Sequence, residues 1–402
     1  MAHDKAQNRL RLLDEMQQED AMNWDRSDRQ DGRARIKVVG CGGGGGNAVN
    51  RMISAALKGV EFIAVNTDLQ ALDKCNADIK VNIGRKLTRG LGSGGEWIKG
   101  RDAADESRAE LTELLKDSDM VFITAGMGGG TGTGSSSVVA EVAKEQGSLT
   151  IGVVTRPFRW EGKVRADTAE EGVKVLREKV DALIVIPNDR LAQVVDKRTT
   201  LEEAFRFADD VLRQGVQGIA DLITNPGVIN LDFADVKAIM NEAGEALMGI
   251  GFGGGDTRAE DAAKQAVSSP LLETSIDGAR GILFNVTAGK DITLHECEKA
   301  AEIIKASADP SANIIFGVVN DDRMQDEVKI TVIATGFHAR QPHVRPAASD
   351  STSVEYSQRS TPQPQPQPSP PPPPQPQPEP QRPSFGSEQD DLDIPAFLRN
   401  RI

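Results

Sequence analysis

Gly126-Met127-Gly128-Gly129-Gly130-Thr131-Gly132-Thr133-Gly134 is the stretch whose reading decides the fold, because six of its nine residues lack a side chain. Before it, Asp119-Met120-Val121-Phe122-Ile123-Thr124 reads as a buried strand; after it, Val138-Val139-Ala140-Glu141-Val142-Ala143 reads as helix. Glycines in such a turn permit φ > 0 and close backbone approach. The unpaired N–H groups and the dipole of the helix start then point at one place, which suits a phosphate chain.

Upstream, Gly40-Cys41-Gly42-Gly43-Gly44-Gly45-Gly46-Asn47 has the same setting, between a strand at 36–39 and a helix at 47–57. It contains G-x-G-x-x-G, which alone would suit a nicotinamide-dependent oxidoreductase with Asp68 on a ribose. A dinucleotide fold has no need of a second, longer glycine loop, and no G-x-x-x-x-G-K-[S/T] occurs to suggest a Walker-type NTPase. Two glycine loops on one sheet point to a mononucleotide gripped from both sides. Further strands at 61–65, 149–155 and 182–186, separated by helical spacings, predict a parallel, doubly wound α/β sheet with ligands at the carboxyl ends of its strands.

Beyond this unit, apolar positions from 201 to 223 keep a helical period over several turns, predicting a long central helix with a broad buried face. After Asn225-Pro226-Gly227 comes a smaller α/β segment, with strands near 281–288, 313–319 and 328–337 and helices near 233–247, 257–268 and 293–307. The expected organisation is a mobile extension over 1–34, a nucleotide-binding domain over 35–200, the helix over 201–224 and a C-terminal domain over 225–338. Fifteen of the 21 prolines lie between Pro342 and Pro383, so 339–386 reads as an extended, disordered tether. Leu392, Ile394, Phe397 and Leu398 then give 387–402 the look of a docking peptide, with a frayed tail as the competing reading.

The 402 residues suffice for two domains. The net charge is −13, and residues 36–338 hold 34 basic against 45 acidic side chains, which argues against a nucleic-acid binder. An acidic body that holds a phosphate must do so locally, with amides and a few cations or a metal. Cys41, Cys75 and Cys297 show neither disulfide pairing nor metal-ligand spacing, as expected of structural thiols in a reducing cytosol. No apolar run approaches the roughly 20 residues of a membrane span, and Met1-Ala2-His3-Asp4 does not open a signal peptide. A cytoplasmic protein without direct membrane insertion is expected.

Side chains of suitable chemistry gather at the expected strand ends. Asn66-Thr67-Asp68 offers a hydroxyl and a carboxylate beside phosphates and a metal, and Gly90-Leu91-Gly92-Ser93-Gly94-Gly95 is a third flexible loop. Glu161 and Arg165, four apart, share a helical face, either as an exposed ion pair or as part of a site. Asn188 follows a strand end. Phe205 and Asp209, also i,i+4, could stack on a purine and accept guanine's N1–H and amine; a core Phe beside a solvated Asp is the competing reading. In Asn230-Leu231-Asp232-Phe233-Ala234-Asp235 the two acids converge at a helix start, as caps or as site groups.

Together these stretches resemble the tubulin/FtsZ superfamily, and within it the bacterial FtsZ branch. The run from Gly128 to Gly134 is similar to its signature, Asn230-x-Asp232-x-x-Asp235 to its catalytic loop, and Asp393-Ile394-Pro395-Ala396-Phe397-Leu398 to its tail peptide. The resemblance implies a cytoskeletal GTPase that polymerises head to tail as the division ring, beneath the inner membrane at midcell. It puts Gly43, Gly44, Gly45, Gly46, Asn47, Gly130, Thr131, Gly132, Glu161, Arg165, Asn188 and Asp209 on nucleotide-binding positions, and Phe205 against the guanine. Asp68 joins them from its place after the second strand. Asn230, Asp232 and Asp235 would enter the next subunit's pocket and polarise the attacking water, with Mg²⁺ carried mainly by the phosphates of GTP or GDP. Such head-to-tail contacts do not close, so they give filaments.

Residues 391–399 would then bind membrane-anchoring adaptors and division regulators of the FtsA-like, ZipA/SepF-like and MinC-like kinds. Ser135-Ser136-Ser137 and Glu96-Trp97 depart from the family pattern, which has small apolar residues and Asn-Pro there, so turnover and filament dynamics are expected to be particular to this chain. A nucleotide-dependent scaffold with little hydrolysis is the competing reading, and the presence of both loop acids counts against it.

Overall fold

The computed structural model describes residues 34–191, 196, 198–224, 229, 231–270, 272 and 275–337. The expected N-terminal extension apart from Ala34, the Pro-rich tether, the tail peptide and Asn230 lie outside the described residues.

Strands β1 (Ile36–Cys41), β2 (Val60–Asn66), β3 (Ile79–Asn82), β4 (Met120–Gly126), β5 (Leu149–Arg156) and β6 (Ala182–Pro187) are all parallel. The helices of two turns or more that accompany them are α1 (Gly42–Ser54), α2 (Trp97–Glu106), α3 (Arg108–Leu115), α4 (Thr131–Glu145) and α5 (Lys163–Arg177). The chain then forms α6 (Leu201–Thr224), α7 (Phe233–Met240), β7 (Gly244–Gly254), α8 (Arg258–Val267), β8 (Gly281–Ala288), α9 (Leu294–Ala306), β9 (Asn313–Asn320) and β10 (Glu327–Thr335). Strand order is β3-β2-β1-β4-β5-β6-β7-β10-β8-β9, one ten-stranded sheet. From β1 the chain winds outward through β2 and β3, then returns to β4 on the other side. The switch point therefore lies between β1 and β4, where a doubly wound sheet opens a crevice at its carboxyl edge.

Both faces of the parallel half are buried, so neighbouring residues of one strand feed different cores. Val38 and Phe122 pack with Met52 of α1 and Val216 of α6. Val39 and Ile123 pack on the other face with Val139 of α4 and Leu176 of α5. A third core lies among β7, β8, β10, α8 and α9, around Phe284, Val286 and Ile330.

Two differences from the sequence reading bear on the site. Both glycine runs begin helices: α1 starts at Gly42 rather than at Asn47, and α4 at Thr131 rather than at 138. A helix's first turn has no intrahelical partners for its N–H groups, so glycine's poor helix propensity costs least there. The second difference is β7, whose first residues the sequence reading assigns to a helix over 233–247. That helix stops at Met240, and β7 runs eleven residues from Gly244, parallel to β6 at Ala182↔Gly244, Leu183↔Glu245 and Ile184↔Ala246 and antiparallel to β10. The smaller segment thus extends the same sheet. Gly249, Gly251 and Gly253 alternate along β7, and a Cβ at any of them would collide with a backbone carbonyl of α8, those of Ala266, Ala262 and Arg258 respectively.

Candidate functional site

At the carboxyl ends of the parallel strands lies a cleft of about 320 Å³, lined by Gly44, Asn47, Gly126, Met127, Pro157, Glu161, Arg165, Asn188, Phe205 and Asp209 among others. Seven of these were singled out in sequence, and the fold brings them together from α1, the 158–165 segment, the end of β6 and α6. A second cleft of about 220 Å³ shares Asn47 and adds Gly43, Gly46, Asn66 and Asp68. Asp68 caps the short helix Leu69–Asp73, its Oδ1 accepting from the N–H groups of Gln70 at 2.9 Å and Ala71 at 3.3 Å.

The glycines divide by what they face. A Cβ on Gly45 would strike the carbonyls of β4 and Gly40, and one on Gly42 (φ +69°) would strike the backbone of Gly132, so these two serve close packing. Gly43 and Gly129 have nothing within 4 Å of the position a Cβ would take. Side chains there would meet only the space in front of the two helix starts.

Gly130, Thr131 and Gly132 line neither cleft. Thr131 instead joins two hydroxyls, Thr67 Oγ1 at 2.6 Å and Ser93 Oγ at 3.1 Å, all three buried. This chain ties the loop after β2 and the third glycine loop to the start of α4. Close approaches reinforce it, since a Cβ on Gly130 would collide with the Ser93 hydroxyl, one on Gly100 with the Gly130 carbonyl, and one on Gly134 with the backbone of Trp97. The departing serines are spent inside α4: Ser135, Ser136 and Ser137 donate to the carbonyls of Thr131, Thr133 and Gly134 at 2.7, 3.2 and 2.9 Å. Burial pushes the Cys41 thiol up to about 12, opposed by a hydrogen bond with Ser135, so this cysteine is inert at neutral pH.

At the other end of the 320 Å³ cleft, Asn188 is buried and its Oδ1 has no hydrogen-bond partner. An orphaned buried acceptor costs about 1–3 kcal/mol, which a ligand donor would recover. Burial pushes the Asp209 carboxyl up to about 7, with Arg51 pulling the other way and Asp210 adding to the rise. Phe205 is 38% exposed. The competing reading of a core Phe beside a solvated Asp is therefore reversed. Glu161 and Arg165 do pair at 3.2 Å, but the Glu161 side chain is only 7% exposed and its Oε1 also accepts from the Phe158 N–H at 2.9 Å. They bridge a break in the helix at Gly162 rather than one continuous turn.

Asp232 and Asp235 line neither cleft. They cap α7 reciprocally: Asp232 Oδ1 accepts from the Asp235 N–H at 2.8 Å, and Asp235 Oδ2 accepts from the Asp232 N–H at 3.3 Å. Within one chain the capping arrangement is what these acids display. Among the described residues no group of three or more His, Cys, Asp or Glu side chains is disposed to hold a metal. The donors near the glycine turns, Asp68 and the hydroxyls of Thr67 and Thr131, are hard oxygens of the kind that suits Mg²⁺.

Sequence reasoning missed the hydroxyl chain and an aromatic cluster of Phe158, Trp160 and Phe205. Only the second left a signal, two aromatics within three positions of Glu161. Among the described residues no helix is long and apolar enough to cross a membrane.

Residues 35–196 match the model of the tubulin/FtsZ family GTPase domain, and residues 244–338 that of the FtsZ family C-terminal domain. An empty FtsZ dimer from M. jannaschii is 46% identical, with a TM-score of 0.74 over 79% of this chain and 92% of that one. CetZ1 from Haloferax volcanii, a GDP-bound monomer, is 18% identical with a TM-score of 0.66 over 76% and 95%. CetZ2 from the same organism, a GTPγS-bound protofilament, is 20% identical with a TM-score of 0.64 over 76% and 94%. The last two share the fold.

Proposed function

The chain belongs to the tubulin/FtsZ family of GTPases, and from that premise we propose that it is the self-assembling subunit of a division-ring filament, hydrolysing GTP between adjacent copies. The observation that carries the guanine reading is the orphaned Asn188 Oδ1 in one cleft with Asp209 and Phe205. Guanine offers donors to both side chains and a flat face to the ring, whereas adenine's N1 is an acceptor and would meet the Asp209 carboxylate with repulsion. The phosphates then lie before the starts of α1 and α4, where Gly43 and Gly129 leave room. Mg²⁺, held mainly by those phosphates with Asp68 at hand, would neutralise their charge.

Asp232 and Asp235 stand outside both clefts of their own chain, which favours their being presented to the nucleotide of a second copy. Each spends one carboxylate oxygen on the cap and keeps another to orient water, with Asn230 beside them in sequence. The FtsZ dimer and the CetZ2 protofilament are relatives that do self-associate. In this reading residues 35–200 bind nucleotide, 201–224 form the central helix, 225–338 carry the catalytic loop, 339–386 are the linker after them, and 387–402 take adaptors at the inner membrane.

The test is GTPase rate against protein concentration, with sedimentation of the same samples. Turnover should rise steeply above a threshold at which pelletable polymer appears; a specific rate independent of concentration refutes the shared site. Asp235→Asn, which retains a carbonyl for the cap, should keep GDP binding and lose about a hundredfold in hydrolysis.

A further inference from the structure

We propose that Trp160 is a positioning residue for the nucleotide base, acting through Phe205; this rests on the guanine reading of the cleft. Three rings form a closed triangle. Phe158, buried at the end of the β5 loop, stacks on Trp160 with centroids 5.6 Å apart and planes at 18°. Phe205 meets Phe158 edge-on at 5.7 Å and 79°, and Trp160 edge-on at 6.1 Å and 72°. These are the offset-stacked and T-shaped geometries that the aromatic quadrupole favours.

The triangle matters because of where its members stand. Phe205 lines the cleft, on α6 one turn before Asp209, while Phe158 and Trp160 come from a different segment. Trp160 lies on the 3₁₀ turn Arg159–Glu161, next to Glu161, and the Phe158 N–H bond to Glu161 fixes that turn. The brace is thus anchored independently of the helix it steadies. A phenyl ring on an exposed helix face would otherwise exchange rotamers and lose that freedom on stacking with a base. Trp160 itself is 61% exposed, and it meets the cleft-lining ring of Phe205 edge-on.

The experiment is equilibrium binding of GDP to the full chain, below the concentration at which it assembles. Trp160→Ala should weaken GDP affinity by about five- to tenfold, the cost of ordering the Phe205 side chain on binding, while Trp160→Phe should stay within about twofold of the parent. The melting temperatures of all three should agree within about 2–4 °C, since the ring contacts of a mostly exposed side chain are worth about 1 kcal/mol. In a chain carrying Trp24→Phe and Trp97→Phe, the emission of Trp160 should shift when GDP binds. Equal affinities for Trp160→Ala and the parent overturn the proposal, as does a Trp160→Phe chain as weak as Trp160→Ala, or unchanged emission. A rise in the assembly threshold with GDP affinity intact would also overturn it, by making Trp160 a contact between copies. A parent chain that binds no GDP would instead refute the guanine reading beneath it.

Discussion

The glycines before α1 and α4 and the glycines of β7 look alike in the sequence, yet their surroundings are opposite. Gly43 and Gly129 face open space, whereas Gly249, Gly251 and Gly253 have the carbonyls of α8 where their Cβ atoms would be. In the first group a side chain would meet only open space, which the proposed function gives to the nucleotide. In the second it lets a helix lie on a strand. A glycine-rich stretch therefore carries two meanings, and only the neighbouring backbone separates them.

That contrast can be broken most directly from the β7 side. Gly251→Ala places a methyl against the Ala262 carbonyl, a backbone atom that cannot swing away, and should cost about 3 kcal/mol. In a domain of this size that lowers the melting temperature by roughly 6–12 °C, read by calorimetry; an unchanged transition would mean that α8 can slide. On the cleft side the effect should fall on binding instead. A methyl at Gly43 has nothing within 4 Å to strike, so in Gly43→Ala the melting temperature of the nucleotide-free chain should hold. Intrusion into ligand space worth about 2 kcal/mol should weaken GDP affinity about thirtyfold in the same chain.

The smallest effect sharpens the comparison through pH. Burial raises the Asp209 carboxyl to about 7 in the open cleft, so at pH 6 most molecules carry it protonated. Guanine's donors require the charged form. GDP affinity should rise as pH increases through 7, level off above 8, and be about tenfold weaker at pH 6 than on the plateau. Asp209→Asn should remove most of that slope; a parent chain with a flat profile would show that Asp209 is not the acceptor.

The strand and helix alternation from Ile36 to Pro187 is legible in sequence because parallel strands buried on both faces are continuous apolar runs. Of the seven residues of the larger cleft, Asn188 stands out as a polar side chain after an apolar strand, while Glu161 with Arg165 and Phe205 with Asp209 show only as i,i+4 pairs, and it is the family resemblance that puts all seven on nucleotide-binding positions. β7 is not legible, because its glycines carry neither apolar pattern nor β-propensity and its pairing partners are distant in the chain. The glycine loops are read too long, since helix starts rich in glycine lack the side-chain period that marks a helix. The acids Asp232 and Asp235 are legible in sequence as a pair at a helix start, and within one chain they form the reciprocal cap that this spacing allows. Nothing in the sequence pairs Ser93 with Thr67 and Thr131, which approach only when three loops converge.

The interlock of Gly100, Gly130 and Gly134 has a consequence for how this chain can change over generations. When two side chains clash, a mutation at one can be accommodated by trimming the other. For Gly100 and Gly134 the colliding partners are the backbone of Gly130, Trp97 and Arg101, which every amino acid shares, whereas a Cβ on Gly130 meets the Ser93 side chain first. No second substitution can relieve a change at Gly100 or Gly134, so those two positions have no neutral path away from glycine, while Gly130 could change only together with Ser93.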